Sequence, residues 1–211
     1  MKIVDLTYMI NENMPVFPGS EKPKFENIGV LEKDGFDEKK ITIYSHTGTH
    51  MDAPRHILAD SKGLDDFSPE KFIGKGIVVD ARGKSDITLE LLSKYETEIE
   101  KSDFVLINTG WDRYWGEDRY YRGFPTMTIE AAQWIACKKI KGLGIDAISV
   151  DPVDSSALPN HNILLKKEIL IIENLKIPEK LHGKEFLFSA LPLKVENSDG
   201  SPIRAVAILE I

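Results

Sequence analysis

Three histidines and an aspartate crowd into one short stretch of the chain, Ser45-His-Thr-Gly-Thr-His-Met-Asp-Ala-Pro-Arg-His56. His46, His50, Asp52 and His56 make the pattern H-x3-H-x-D-x3-H. Imidazole nitrogen and carboxylate oxygen are the ligand atoms that zinc and similar divalent cations take. The four residues are even steps apart, so on one extended strand they share a face. Positions i and i+4 of a strand nevertheless lie about 13 Å apart, whereas each ligand atom must come within about 2 Å of one ion. The chain therefore has to turn inside the motif. Gly48 permits a turn, and Pro54 stops regular structure from continuing. The preceding run Lys40 to Ser45 alternates, with Ile41, Ile43 and Ser45 on one side and Thr42 and Tyr44 on the other, which predicts a strand. The metal cluster is thus expected where strand 40–45 runs into a loop. A helix would also bring i and i+4 together, but the alternating run, Gly48 and Pro54 argue against one.

The other chemistry-bearing residues are less distinctive. His161 follows the turn-rich stretch Asp151 to Asn160 and reads equally as a helix-start residue. Glu173 closes the apolar run Ile169 to Glu173. A charge there needs a partner if it is buried, or it is a solvated strand end. Asp151 and Asp154 either support a metal histidine from behind or form turns. His182, in the charged turn Glu179 to Lys184, is expected to be exposed. Cys137, beside Ala136, is expected to pack as a small apolar residue. Trp111, Tyr114, Trp115, Tyr120, Tyr121 and Phe124 concentrate aromatics in one segment. They read as core and surface packing, with a pocket wall or subunit interface as the competing role.

The elements that must position these residues are mostly strands. Lys2 to Thr7, Gly76 to Asp80, Asp103 to Asn108, Gly144 to Val150, Ile169 to Glu173, Lys184 to Leu191 and Ile203 to Ile211 read as strands. The compact apolar ones are expected to be covered on both faces. Thr128 to Lys139 is the clearest helix, with Ile129, Ala132, Ile135, Ala136 and Ile140 at helical spacing. Thr88 to Tyr95 starts on a threonine cap, and Asn162 to Lys167 makes one or two turns. The pattern predicts an α/β or α+β fold, one domain over residues 1–211, built on a mixed sheet with few helices. No glycine-rich phosphate loop follows any strand.

Composition narrows the function. The chain has 211 residues, 42% of them hydrophobic and 29% charged, with a net charge of −7. That acidic balance argues against nucleic-acid binding, which rests on clustered Lys and Arg. One cysteine excludes an internal disulfide and a Cys-rich zinc module. No apolar run approaches the roughly 18 residues of a membrane span. The N-terminus lacks the basic start and apolar stretch of a signal peptide. The expectation is a cytoplasmic protein acting on a small molecule, with no nucleic-acid or membrane partner.

The segment from His46 to His56 resembles the signature of the metal-dependent cyclase/amidohydrolase family. Bacterial kynurenine formamidases are its best characterised branch, with isatin hydrolases and polyketide-cyclase-like members as relatives. The resemblance runs along nearly the whole chain: Asp5-Leu-Thr7, then Met14-Pro-Val-Phe-Pro-Gly19, Thr109-Gly110-Trp111, Gly144-Ile-Asp146 leading into Ser149-Val-Asp151, and His161 followed by Ile172-Glu173-Asn174-Leu175. It implies a hydrolase of small amides with two divalent ions, zinc by default and manganese as the alternative. It implies that His46, His50 and Asp52 hold the first ion, that Asp52 bridges to a second held by His161, and that Glu173 contacts both. His56 is then the acid/base residue. Phe17 falls where the formamidases typically carry a substrate-contacting Trp. The resemblance and the aromatic segment together point to a homo-oligomer, most simply a dimer.

Overall fold

The computed structural model describes residues 1–209. In chain order its strands are β1 (Lys2–Asp5), β2 (Lys24–Gly29), β3 (Glu38–Thr42), β4 (His50–Asp52), β5 (Ile73–Asp80), β6 (Asp86–Ile87), β7 (Phe104–Asn108), β8 (Thr126–Met127), β9 (Gly142–Ile145), β10 (Leu170–Glu173), β11 (Phe186–Ser189), β12 (Gly200–Pro202) and β13 (Val206–Leu209). Nine of them form one mixed sheet in the order β1-β13-β11-β5-β7-β9-β10-β4-β12. The middle four, β5, β7, β9 and β10, run parallel. The strands flanking them pair antiparallel. The expected mixed sheet with few helices is what forms.

The central strands are largely apolar because both faces are covered. Val79, Val105, Ile107, Ile145 and Ile171 pack on one face with the helices Leu89–Ser93, Glu96–Ile99, Ile129–Ile135 and Pro159–Leu165. Val78, Phe104, Leu106, Ile172 and Met51 pack on the other, beneath Val4, Leu6, Leu181 and Ala205. Thr88 caps its helix as expected, and Thr128 caps another, each hydroxyl accepting a backbone N–H three residues on.

Several expectations need correction. The strand foreseen at Lys40 to Ser45 is real only as far as Thr42, and it pairs with β2 alone in an exposed two-stranded ribbon. The motif lies only partly in the loop beyond it, with His46 in the turn and His56 on a 3-10 turn. His50, Met51 and Asp52 are themselves strand β4, buried between β10 and β12. The run Gly144 to Val150 leaves the sheet at Asp146, whose buried carboxylate accepts from Thr109 (N and Oγ1), Gly110 and Trp111 and so ties the loop after β9 to the loop after β7. The helix foreseen to Lys139 ends at Ile135, which leaves Cys137 exposed rather than packed. Asn162 to Lys167 is a helix that starts earlier, at Pro159. His182 is not exposed: its side chain is 16% accessible, and its Nε2 accepts from Asn108 Nδ2 at 2.8 Å. The last strand of the chain, expected over Ile203 to Ile211, is observed as β13, and residues 210–211 lie outside the described residues.

Candidate active site

Strand β4 supplies the first ligand-type side chains. His50 and Asp52 are two apart on a strand, so they share a face while Met51 turns into the core beneath. Register sets what lies beside them. Glu173 stands directly across from His50 in β10, and Gly200 directly across from Asp52 in β12. Gly48 has φ +66°, the turn that brings His46 back over the strand. The ring of His46 lies above Gly200, where a methyl group would meet it at 2.6 Å. His161 arrives from the helix Pro159–Leu165 on the same face.

The donor atoms converge. His46 Nδ1 is 2.7 Å and His50 Nε2 3.2 Å from Asp52 Oδ1. His161 Nε2 is 3.6 Å from Asp52 Oδ2 and 3.5 Å from Glu173 Oε1. His50 Nε2 is 3.6 Å from Glu173 Oε2. Among the described residues, His46–His50–Asp52 and Asp52–His161–Glu173 each bring one ligand atom per residue within 4.8 Å of one another, with Asp52 common to both. His46, His50 and Asp52 of the motif therefore meet at one place, together with His161 and Glu173. His56, on the short 3-10 turn Pro54–His56, falls in a separate group with His46 and Asp199. Its ring centroid is 4.0 Å from that of His46 and 6.1 Å from that of His161.

The site is built to hold positive charge. Burial pulls His161 down, but the carboxylates of Asp151, Asp52 and Glu173 outweigh it and push its pKa up to about 12. Burial likewise opposes His46, and Asp52 and Asp199 raise it to about 9. Asp52 is fully buried, yet His46, His50 and His161 hold its carboxyl well below the usual range. His56 moves the other way, lowered first by burial, with Asp52 opposing. The donor chemistry fits divalent cations. His161 Nδ1 donates to Asp151 at 2.7 Å, and His50 Nδ1 to the Gly48 carbonyl at 2.9 Å. Such backing bonds leave Nε2 free to face a cation.

Asp151 thus backs a histidine rather than serving as a turn former alone. It also accepts the backbone N–H groups of Asn160 and His161. Asp154 is exposed and makes no comparable contact. Asp199 was not foreseen: its Oδ2 lies 3.0 Å from His46 Nε2 and 3.8 Å from His56 Nδ1. It immediately precedes strand β12, and nothing local relates it to a histidine 153 residues away. The site opens into a cavity of about 460 Å³ lined by Val16, Phe17, Tyr44, Ile148 and Leu158 around the histidines. Of the aromatic segment, Trp111, Tyr120 and Phe124 are buried in the core.

Comparison with known proteins identifies the family. The Cyclase family model matches residues 4–152. A kynurenine formamidase of Erythrobacter litoralis is 33% identical, covering 97% of this chain and 93% of its own length. An uncharacterised protein of Methanocaldococcus jannaschii is 37% identical over 99% of this chain and all of its own. An isatin hydrolase bound to the product analogue thioisatinate superposes with a TM-score of 0.87 at 26% identity, covering 100% of this chain and 93% of that one. The chain belongs to the cyclase family of metal-dependent hydrolases.

Proposed function

We propose that residues 1–211 act as one arylformamidase unit that cleaves N-formylkynurenine to kynurenine and formate, a step of tryptophan catabolism. The observation that carries this reading is the convergence of His50 Nε2 and His161 Nε2 on the carboxylates of Asp52 and Glu173 at the floor of a cavity with apolar walls. His46, His50 and Asp52 would hold one divalent ion and Asp52 and His161 a second, with Glu173 in reach of both, zinc by default and manganese as the alternative. When bound, such ions polarise a carbonyl and bring the pKa of water down to about 7. His56 is the proton carrier. Burial holds its imidazole below the ordinary value, so it is neutral near pH 7, able to accept a proton from attacking water and return it to the departing nitrogen. Phe17 and Tyr44 line the cavity and offer aromatic faces to an aryl group.

The relatives named kynurenine formamidase support the amide. A second reading, hydrolysis of a cyclic amide or lactone, is favoured by the isatin hydrolase superposition and by Phe17 in place of the formamidases' Trp. Among the described residues no helix is long and apolar enough to cross a membrane. The reading includes a cytoplasmic homodimer. The test is a hydrolysis screen of metal-loaded protein against N-formylkynurenine, isatin and simple aryl formamides. Turnover of N-formylkynurenine above the others is expected. Turnover of isatin alone would replace the proposal with the second reading.

A further inference from the structure

His50 is backed by a peptide carbonyl, and that carbonyl is itself held. The Gly48 oxygen accepts His50 Nδ1 at 2.9 Å and also Asn174 Nδ2 at 2.9 Å. Asn174 follows Glu173 directly and has φ +58°, a left-handed conformation that asparagine tolerates better than most residues. Four bonds fix it there. Its N–H donates to the Ala147 carbonyl at 2.9 Å, its own carbonyl accepts the Thr49 hydroxyl at 2.7 Å, and its Nδ2 donates to Gly48. Its Oδ1 accepts the Tyr120 hydroxyl at 2.7 Å.

The bond to Gly48 decides how the amide is turned. A carbonyl oxygen accepts only, so Gly48 must face the amide NH2. The Tyr120 hydroxyl has a hydrogen to give and takes the opposite side of the amide. Tyr120 is wholly buried, and its own carbonyl accepts the Trp111 indole N–H at 3.1 Å. Its ring meets Trp115 edge-on, and Trp115 stacks on Tyr8 with centroids 3.9 Å apart. The Tyr8 N–H returns to Thr49, between Gly48 and His50, at 3.0 Å. The aromatic segment is thus linked through Asn174 and Tyr8 to Gly48 and Thr49, the two residues that lead into the histidine strand.

We propose that Tyr120 and Asn174 are positioning residues for His50. Acting through the Gly48 carbonyl, they keep the hydrogen on Nδ1 and aim the Nε2 lone pair at the cation site. This rests on the reading of His50 as a metal ligand. Partners that orient a metal histidine are typically worth about 10- to 100-fold in metal affinity. Tyr120→Phe removes one hydroxyl and frees the amide to rotate. Asn174→Asp puts a carboxylate oxygen against Gly48 O.

The test measures zinc affinity by competition with a chromophoric chelator, the nitrogen chemical shifts of His50 in metal-free protein, and the melting temperature, for wild type, both variants and His50→Gln. The proposal expects zinc binding to weaken about 10- to 100-fold in Asn174→Asp and by a smaller factor in Tyr120→Phe. It also expects the His50 shifts to move from the Nδ1–H tautomer towards a mixture. If Asn174→Asp does not fold, Tyr120→Phe carries the test. Unchanged shifts in folded Tyr120→Phe overturn the proposal, as does a weakening of zinc binding with the tautomer intact, which marks a merely structural role. Wild-type zinc affinity in His50→Gln overturns the ligand reading itself. The tautomer shifts, read without metal, distinguish that failure from failure of the relay.

Discussion

Gly200→Ala is a one-methyl wedge aimed at the site. A Cβ at Gly200 would stand 2.6 Å from His46 Cε1, 2.8 Å from Nε2 and 3.0 Å from Nδ1. Reaching an ordinary 3.4 Å contact requires the ring to retreat by about 0.8 Å. The ring has no slack, because Asp52 holds one nitrogen at 2.7 Å and Asp199 the other at 3.0 Å. Metal–ligand distances tolerate only about 0.2 Å, and a misplacement of about 1 Å at a reacting centre costs roughly 10²-fold in rate. The backbone is not strained, since Gly200 lies outside the left-handed region. Alanine there also lowers the entropy of the unfolded chain, worth about 0.4–1 kcal/mol. The variant should therefore melt near the wild-type temperature while zinc affinity and kcat/KM each fall by about two orders of magnitude. The assays are chelator competition, steady-state hydrolysis and a thermal melt on one preparation. A stable Gly200→Ala protein with wild-type zinc affinity would refute the placement of His46 among the ligands.

Other outcomes follow from the same geometry. His56→Ala should keep its metal and lose about 10²- to 10⁴-fold in rate, whereas His50→Ala should lose metal affinity as well; equal metal loss in the two, measured by equilibrium dialysis, would make His56 a ligand. Chelation should abolish turnover while far-ultraviolet circular dichroism stays unchanged, because the apolar clusters on the two faces of the sheet are large enough to hold it without a metal; loss of the fold would mark a structural metal. Phe17→Trp should sharpen the preference for N-formylkynurenine over formanilide, and an unchanged ratio of kcat/KM means that Phe17 does not read the aryl group. Sedimentation at micromolar concentration should give a dimer, and a monomer would count against the proposed assembly.

How much of this was legible in the sequence depends on distance along the chain. His46, His50, Asp52 and His56 announce themselves because spacing is local information, and Gly48 and Pro54 turn the chain where the geometry requires it. That His50–Asp52 is a sheet strand was hidden. Three residues are too few for their alternation to mark a strand, and His46, Glu173 and His161, brought in by other elements, make its burial tolerable. The alternation over 40–45 was real but silent about its partner, a ribbon with no other neighbour in the sheet. Asp199 and Asn174 reach the site through register and tertiary packing, for which no local pattern exists. Resemblance to the family, not spacing, singled out His161 and Glu173.

The most direct test is hydrolysis of N-formylkynurenine measured against added zinc, starting from metal-free protein of known concentration. The account predicts no turnover without metal and a rate that rises to a plateau at two equivalents per chain. A plateau at one equivalent would contradict the shared role of Asp52. Turnover that persists in the metal-free protein would contradict the whole account.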